Sequence, residues 1–450
     1  MTTTTAPAPT AARSDLRRAA VRVLLANATG SATVPSRSLY PHQWSWDSAF
    51  VALGLARLSP RRAQRELETL LGAQWADGRV PHIVFNPAVP AGAYFPGPDF
   101  WRSSRAGAAA GAPRRTETSG IVQPPVHALA AWLVHRAAPD ASDRRGFLRR
   151  VYPRLRAWHR YLARERDHGG TGLVSVIHPW EAGMDNSPCW DGPLSRVVPA
   201  PAASFRRADL THASAADRPT DLDYGRYVSL AAAYRDQGYR DGPPAGPAAF
   251  AVEDPGFNAL LAASAEALAA IARTLGEDPG EHRATAAALR TALTARLWCP
   301  ERGQFLCRDV TAAALVGERS VTGLLPLLVP GLPPEAVAAL TATLTGPHFG
   351  LGTTTRLAPS YDLRAPGYDG SRYWRGPAWA NTNWLLERGL RQYGDTARAD
   401  ALAEALLDSA AATGFAEYTD PLTGEGRGTR DFAWTAAVAL DLLARAKERR

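Results

Sequence analysis

Apolar residues recur three and four positions apart along most of this 450-residue chain, the period of helices with one buried face. The first such segment is expected from the capping residue Asp15 to about 27. The second, A-F-V-A-L-G-L-A-R-L, is stopped by Ser59-Pro60. Pro60 then opens a third, to about 75, in the first-turn position that proline favours, and Asp77-Gly78 turns the chain. Further helical patterns cover 123–137, 143–166, 224–237, 256–275, 280–297, 318–328, 333–344, 377–393, 396–412 and 430–447. The alternation of half-buried strands is almost absent; a short hairpin within 300–316, around G-Q-F-L-C-R-D-V, is the exception.

Between these helices, tight turns alternate with long, aromatic-rich loops. A ring of helical hairpins gathers its tight turns at one end and its long loops at the other, where a site can form. Six helix pairs closed into an (α/α)6 toroid fit the count, so the predicted fold class is all-α. An α-solenoid is the second architecture, but no fixed repeat period is visible. No linker separates two cores. The expected organisation is a disordered tail, 1–13, then one domain, 14–450, with loop insertions at about 79–120 and 186–223. Within the first insertion, R-S-S-R-A-G-A-A-A-G-A-P-R (103–115) reads as a mobile segment and a candidate lid.

Composition narrows the function classes. The net charge is +8, but the arginines are scattered as singles and pairs and Lys447 is the only lysine. Solvated helix faces explain that pattern better than a phosphate-binding stripe, so no nucleic-acid partner is expected. Cys189, Cys299 and Cys307 are an odd number without C-x-x-C spacing, which supports neither a disulfide framework nor a zinc site and fits a cytoplasmic setting. The N-terminus lacks the apolar core of a signal peptide, and no run of about eighteen uncharged apolar residues predicts a membrane span. Oligomeric state is left open, a homo-oligomer included.

Four polar-aromatic loops carry the candidate chemistry. They are W-S-W-D (Trp44, Trp46, Asp47), H-P-W-E-A-G-M-D-N-S-P-C-W-D (His178 to Asp191), S-R-Y-W-R-G-P-A-W (Ser371 to Trp379) and G-F-A-E-Y-T-D-P-L-T-G-E-G (Gly414 to Gly426). Each adjoins a helix, where a barrel would place its mouth. Indole faces stack on the C–H faces of sugars and carboxylates bond their hydroxyls. Glycoside hydrolysis needs one protonated carboxyl for the leaving oxygen and a second carboxylate to activate water or attack. Asp185, in a tryptophan-rich loop, can be the acid and Glu417 the base, although composition cannot choose these two from 43 acids.

The motifs W-S-W-D-S-A-F, Y-F-P-G-P-D-F-W, T-S-G-I-V-Q-P-P, H-P-W-E-A-G-M-D-N-S-P, Y-W-R-G-P-A-W and E-Y-T-D-P-L-T-G-E-G span about 40–435. In this order the chain resembles glycoside hydrolase family 63, in its bacterial glucosylglycerate and mannosylglycerate hydrolase branch. The resemblance implies an (α/α)6 barrel, inversion of anomeric configuration, and chemistry without a metal or other cofactor. It implies Asp185 as general acid and Glu417 as general base. By the same carry-over Tyr40, Trp44, Trp46, Asp47 and Gln123 bind the sugar, Trp180 stacks near it, and Tyr373, Trp374 and Trp379 line the far wall. Arg218 and Tyr224, with Tyr94 closing over the same end, match the positions that hold the glycerate carboxylate.

The resulting expectation is an inverting α-glycosidase releasing sugar and glycerate from glucosylglycerate or mannosylglycerate. The alternatives are a neutral-substrate α-glucosidase or trehalase-like hydrolase, a sugar epimerase on the same barrel, and a non-catalytic sugar-binding protein. His42, His82 and His178 are expected to make structural hydrogen bonds, and Glu181 and Asp191 to support the acid loop. For Arg218 the plain alternative is a surface ion pair with Asp217 or Asp221; for Tyr224 it is packing at a helix start.

Overall fold

The computed structural model describes residues 9–207, 209–211, 215–241 and 249–449. Long helices come in pairs along the chain. The first pair is α1 (Pro9–Ala26) and α2 (Ser45–Ala56); the second is α3 (Pro60–Gly72) and α4 (His127–Ala137). The third is α5 (Phe147–Glu165) and α6 (Pro255–Leu275); in the fourth, α7 (Gly280–Arg296) precedes a 3-10 segment, Val321–Leu328. The last two are α8 (Pro334–Thr345) with α9 (Ala380–Gln392), and α10 (Thr396–Thr413) with α11 (Ala433–Glu448).

The second member of each pair forms an inner ring. α2 packs on α4, α4 on α6, α6 on Val321–Leu328, that segment on α9, α9 on α11, and α11 back on α2. The first members lie outside: α1 covers α11, α3 covers α2 and α4, α7 covers α6, and α10 covers α9 and α11. This is the (α/α)6 toroid that the pairing of helices predicts.

The sequence explains who is inside. Every residue of α2, S-W-D-S-A-F-V-A-L-G-L-A, is buried, as an element enclosed on all sides requires. α6 is also long and apolar enough to cross a membrane by composition, yet here its surface is covered by α4, α7 and the 3-10 segment. The outer α3 and α5 are strongly amphipathic instead, burying residues such as Leu67, Leu70 and Leu71, or Val151, Leu155 and Leu162, on one face. Caps set the starts: the Ser59 side chain accepts from Arg62 N, Asp254 from Phe257 N and Asp395 from Arg398 N.

Several sequence expectations need correction. The helix expected from Asp15 begins at Pro9, so residues 9–13 of the expected tail are helical; residues 1–8 lie outside the described residues. The alanine- and arginine-rich stretch after Pro9 favours helix, and α1 is docked on α11 and tied to α10 by Arg13–Glu404 at 2.7 Å. The pattern at 318–328 becomes 3-10 rather than α because Pro326 lacks the N–H that an α-helix needs there. The segment 103–115 contains a short helix, Ser103–Ala110, broken at Gly107 and held by Ser103 and Ser104 hydroxyls on Glu117. It lines no part of the site described below. Two hairpins, not one, occupy the region near 300: Trp298–Cys299 pairs with Gln304–Phe305, and Arg308–Asp309 with Ala314–Leu315. Finally, the helix Asp221–Asp236, which follows the second loop insertion, belongs to no pair.

Candidate active site

The segments leading into α2, α4, α9 and α11 surround a cavity with about 460 Å3 of empty space, part of it open to solvent. Asp185 and Glu417 both line it, although 232 residues separate them in the chain.

The loop bearing Asp185 is fixed on both sides of that residue. His178 caps a 3-10 turn, Pro179–Ala182: its Nδ1 accepts from Trp180 N at 3.1 Å, which leaves Nε2 as the donor to the Tyr227 carbonyl at 2.9 Å. Glu181 is fully buried on Arg166, Oε2 to Nη1 at 2.8 Å and Oε1 to Nη2 at 2.9 Å, and also accepts from Ile177 N and Val122 N. Gly183 turns the chain at φ +70, and a Cβ there would lie 2.5 Å from the Trp46 ring. Beyond Asp185, Asn186 Oδ1 accepts from Trp374 N, the Trp190 indole donates to the Met184 carbonyl, and Tyr227 donates to the Asp185 carbonyl at 2.8 Å. The Asp185 carboxyl itself is only partly exposed and opens on the cavity. Burial pushes it up to about 7; Arg218 opposes that shift and the Glu417 charge adds to it.

Glu417 is 1 % exposed and sits just before the strand Tyr418–Thr419, which pairs with Ala378–Trp379. Its Oε1 accepts from the Tyr40 hydroxyl at 2.8 Å and its Oε2 from Thr429 N at 3.1 Å, with Arg218 Nη2 3.5 Å away. Burial raises its pKa, while Arg218, the Thr429 amide and Tyr40 favour the ionised form. Asp47, in the first turn of α2, is also buried on the cavity, and burial raises its carboxyl well above the ordinary range.

The walls are aromatic. Trp374 and Trp379 stack with centroids 3.9 Å apart, and Trp46 meets Trp434 edge-on at 5.4 Å. Trp44 is set by pairing of Gln43–Trp44 with Ile83–Val84 and meets Tyr94 edge-on at 5.0 Å. Gln123 Oε1 accepts from Trp46 N, joining the loop before α4 to the start of α2. Trp180 lies against His178, centroids 4.4 Å apart. Tyr373 holds a left-handed backbone, φ 45, a conformation that non-glycine residues keep only where surroundings impose it.

Of the catalytic and substrate-binding residues expected from the sequence, all line this cavity except Arg218 and Tyr224. Arg218 stands behind the wall: it is 3 % exposed, donates to the Tyr40 hydroxyl at 2.9 Å, and lies over the Tyr373 ring at 4.5 Å. It forms no ion pair with Asp217 or Asp221; its carboxylate neighbour is Glu417. The Tyr224 hydroxyl donates to the Phe95 carbonyl, which ties the loop of Tyr94 to the helix Asp221–Asp236, and Arg207 stacks on its ring at 4.6 Å. His42 accepts from Asn86 N, as expected of a structural histidine, whereas His82 lines the cavity. Asp191 pairs with Arg375. Sequence reasoning passed over Pro35, Phe432 and Trp434, which also face the cavity. The signal for Trp434 was present: like Trp46 and Trp379 it is an indole at the start of an inner helix.

Comparison with known proteins gives the family. Residues 40–435 match the family model described as mannosylglycerate hydrolase MGH1-like glycoside hydrolase domain. A mannosylglycerate hydrolase of Rubrobacter radiotolerans is 43% identical over 432 residues, 95% of this chain and 97% of the relative. A glucosylglycerate hydrolase of Mycolicibacterium hassiacum is 38% identical over 455 residues, 97% of this chain and 99% of the relative. The crystal structure of a family 63 mannosylglycerate hydrolase from Thermus thermophilus with Tris and D-glycerate superposes with a TM-score of 0.86 at 41% identity, covering 95% of this chain and 99% of that one. The chain therefore belongs to the mannosylglycerate hydrolase MGH1-like glycoside hydrolase family.

Proposed function

We propose that this enzyme hydrolyses glucosylglycerate or mannosylglycerate to the free sugar and glycerate, with inversion, using Asp185 as general acid and Glu417 as general base. The observation that carries this reading is the pair of carboxyls on one indole-lined cavity: burial raises both, and three donors or cations draw Glu417 toward its charged form. Asp185 keeps its proton to about pH 7 and can deliver it to the glycosidic oxygen. Glu417 receives three donors or cations that favour its charged form, so it can take the proton of an attacking water. As the C–O bond breaks, the leaving oxygen takes the Asp185 proton, water adds to the anomeric carbon from the opposite face, and Glu417 keeps the proton that water loses.

The aglycone follows from Arg218. Its Nε has no hydrogen-bond partner and its Nη2 has only Glu417 at 3.5 Å, both closed to solvent behind the wall that Tyr40 and Tyr373 form. Such donors suit a carboxylate better than a neutral sugar. The substrates of a neutral glucosidase or a trehalase-like enzyme would bring no charge to the unpartnered Nε.

The test is a panel of glucosylglycerate, mannosylglycerate, trehalose and maltose, with released sugar and its first-formed anomer measured. The reading expects turnover of one or both glycerate substrates and the β anomer first. Release of the α anomer would remove inversion, and a preference for trehalose or maltose would remove the glycerate aglycone. Asp185→Ala and Glu417→Ala should each lower kcat by about a thousandfold in a folded protein. Arg218→Gln should raise KM for the glycerate substrate far more than for a neutral glucoside.

A further inference from the structure

A second groove, of about 990 Å3, shares no lining residue with the catalytic cavity. It lies where the far end of the acid loop, at Pro188 and Asp191, meets the segments around 317–319 and 361–367. Four arginines line it: Arg302, Arg319, Arg364 and Arg375. Of its three acids, two face a basic side chain and Glu318 has a neutral partner. Asp191 pairs with Arg375, Glu318 accepts from the Tyr361 hydroxyl, and Asp362 lies 2.8 Å from His348 Nδ1.

Among the described residues, no carboxylate comes within 4 Å of the guanidinium of Arg302, Arg319 or Arg364, while Arg375 has its Asp191. The contact that Arg319 makes is a long one, Nη2 to the Arg302 carbonyl at 3.4 Å. The Nε atoms of Arg319 and Arg375 are both closed to solvent and without a partner. Burial, and the charge of Arg302 beside it, hold the Arg319 guanidinium below its ordinary pKa, although Asp362 on the same groove opposes the shift. Unpaired like charges around one concavity repel, and a buried donor left idle costs free energy, so the arrangement favours an anion between them.

We propose that this groove binds a small phosphate-bearing anion, inorganic phosphate or a phosphomonoester, through Arg302, Arg319 and Arg364. A carboxylate offers two oxygens and a single charge. A phosphate group offers at least three acceptor oxygens and up to two charges, which several guanidinium forks can share. The groove also touches the loop that carries Asp185, because Pro188 and Asp191 line the one site and Asp185 the other. Occupancy that draws Arg375 from Asp191 would therefore act on the acid loop.

Isothermal titration of the intact enzyme with inorganic phosphate, and separately with sn-glycerol 3-phosphate, tests this in chloride buffer at constant ionic strength. The expected result is one-site binding with Kd on the order of 1 mM or tighter. Arg319→Gln should weaken it about tenfold, the loss of one charge-assisted contact. The double variant Arg302→Gln, Arg364→Gln alters exposed positions and should do the same without disturbing the fold. Arg218→Gln, beside the catalytic cavity, should leave it unchanged. Tighter binding of one ligand identifies the source of the phosphate group. No heat with either anion overturns the proposal. So does an affinity that survives both groove variants, or one that is lost in Arg218→Gln alone, which would place the anion in the catalytic cavity.

Discussion

A carboxyl that carries a proton near neutrality cannot be a well-solvated one, and the burial that would suit Asp185 to the proposed acid role costs stability. Its pKa is about 7 in the fold against 3.8 for the free side chain. Below about pH 4 the group is protonated folded or unfolded, and the shift costs nothing. As pH rises the unfolded chain gives up its proton first, so stability falls between about pH 4 and 7 and the full cost is present above that. Asp185→Asn should therefore match the wild type in urea denaturation at pH 4 and exceed it at pH 8, by at most about 4 kcal/mol at 1.36 kcal/mol per pKa unit. For the same reason kcat/KM should fall on the alkaline side with an apparent pKa near 7. A profile flat to pH 9 would remove Asp185 as the acid. Glu417, the proposed base, is equally sensitive to its neighbours. Gly428 has φ +68, and a Cβ there would stand 2.4 Å from Glu417 Oε2. Gly428→Ala removes no polar group, yet it should lower kcat by tenfold or more while costing about 1–2 kcal/mol of stability. Kinetics and thermal denaturation of that variant check both. Asp185 and Glu417 were reachable from the sequence only through matched motifs, because burial and the position of Arg218, which set their pKa values, are not local properties.

At the scale of elements, the acid loop is held from outside itself. Glu181 joins Arg166 at the end of α5, Ile177 before the 3-10 turn and Val122 before Gln123. One carboxylate thus sets the Asp185 loop and the Gln123 loop in common. Glu181→Gln turns one buried acceptor oxygen into a donor facing donors and leaves Arg166 with Asp241 as its carboxylate partner, a loss of about 1–3 kcal/mol. We expect kcat to fall with little change in KM, because the cavity keeps its walls while Asp185, the proposed proton donor, shifts. Equal kcat in folded Glu181→Gln would show that the loop needs no such anchor. Periodicity found the helices of this layer to within a few residues, since each buries one face. It could not tell that 318–328 winds as 3-10, where a single proline decides, nor that Asp221–Asp236 stands outside the ring.

At the scale of the whole molecule, closure of the ring is the organising event. α1 and α2 both pack on α11, so the two ends of the chain complete one wall. One contiguous hydrophobic core runs from Leu16 to Leu442. The chain should therefore unfold in one calorimetric transition, and deletion of residues 433–448 should abolish it rather than trim one module. A residual native-like transition in the truncated chain would show a separable part instead.

Helix number, the all-α class, the loop positions and the indole-and-acid content of the loops are local matters, decided by spacing, caps and prolines within a few residues of each other. The sequence by itself determined these. It also carried the family motifs that marked Asp185 and Glu417. Only the tertiary structure decided that Arg218 serves Glu417 and Tyr40 instead of a surface acid, that Tyr224 braces the Tyr94 loop, and that Trp434 joins the wall. Those outcomes depend on contacts between residues hundreds of positions apart, and such contacts exist only once the ring has closed.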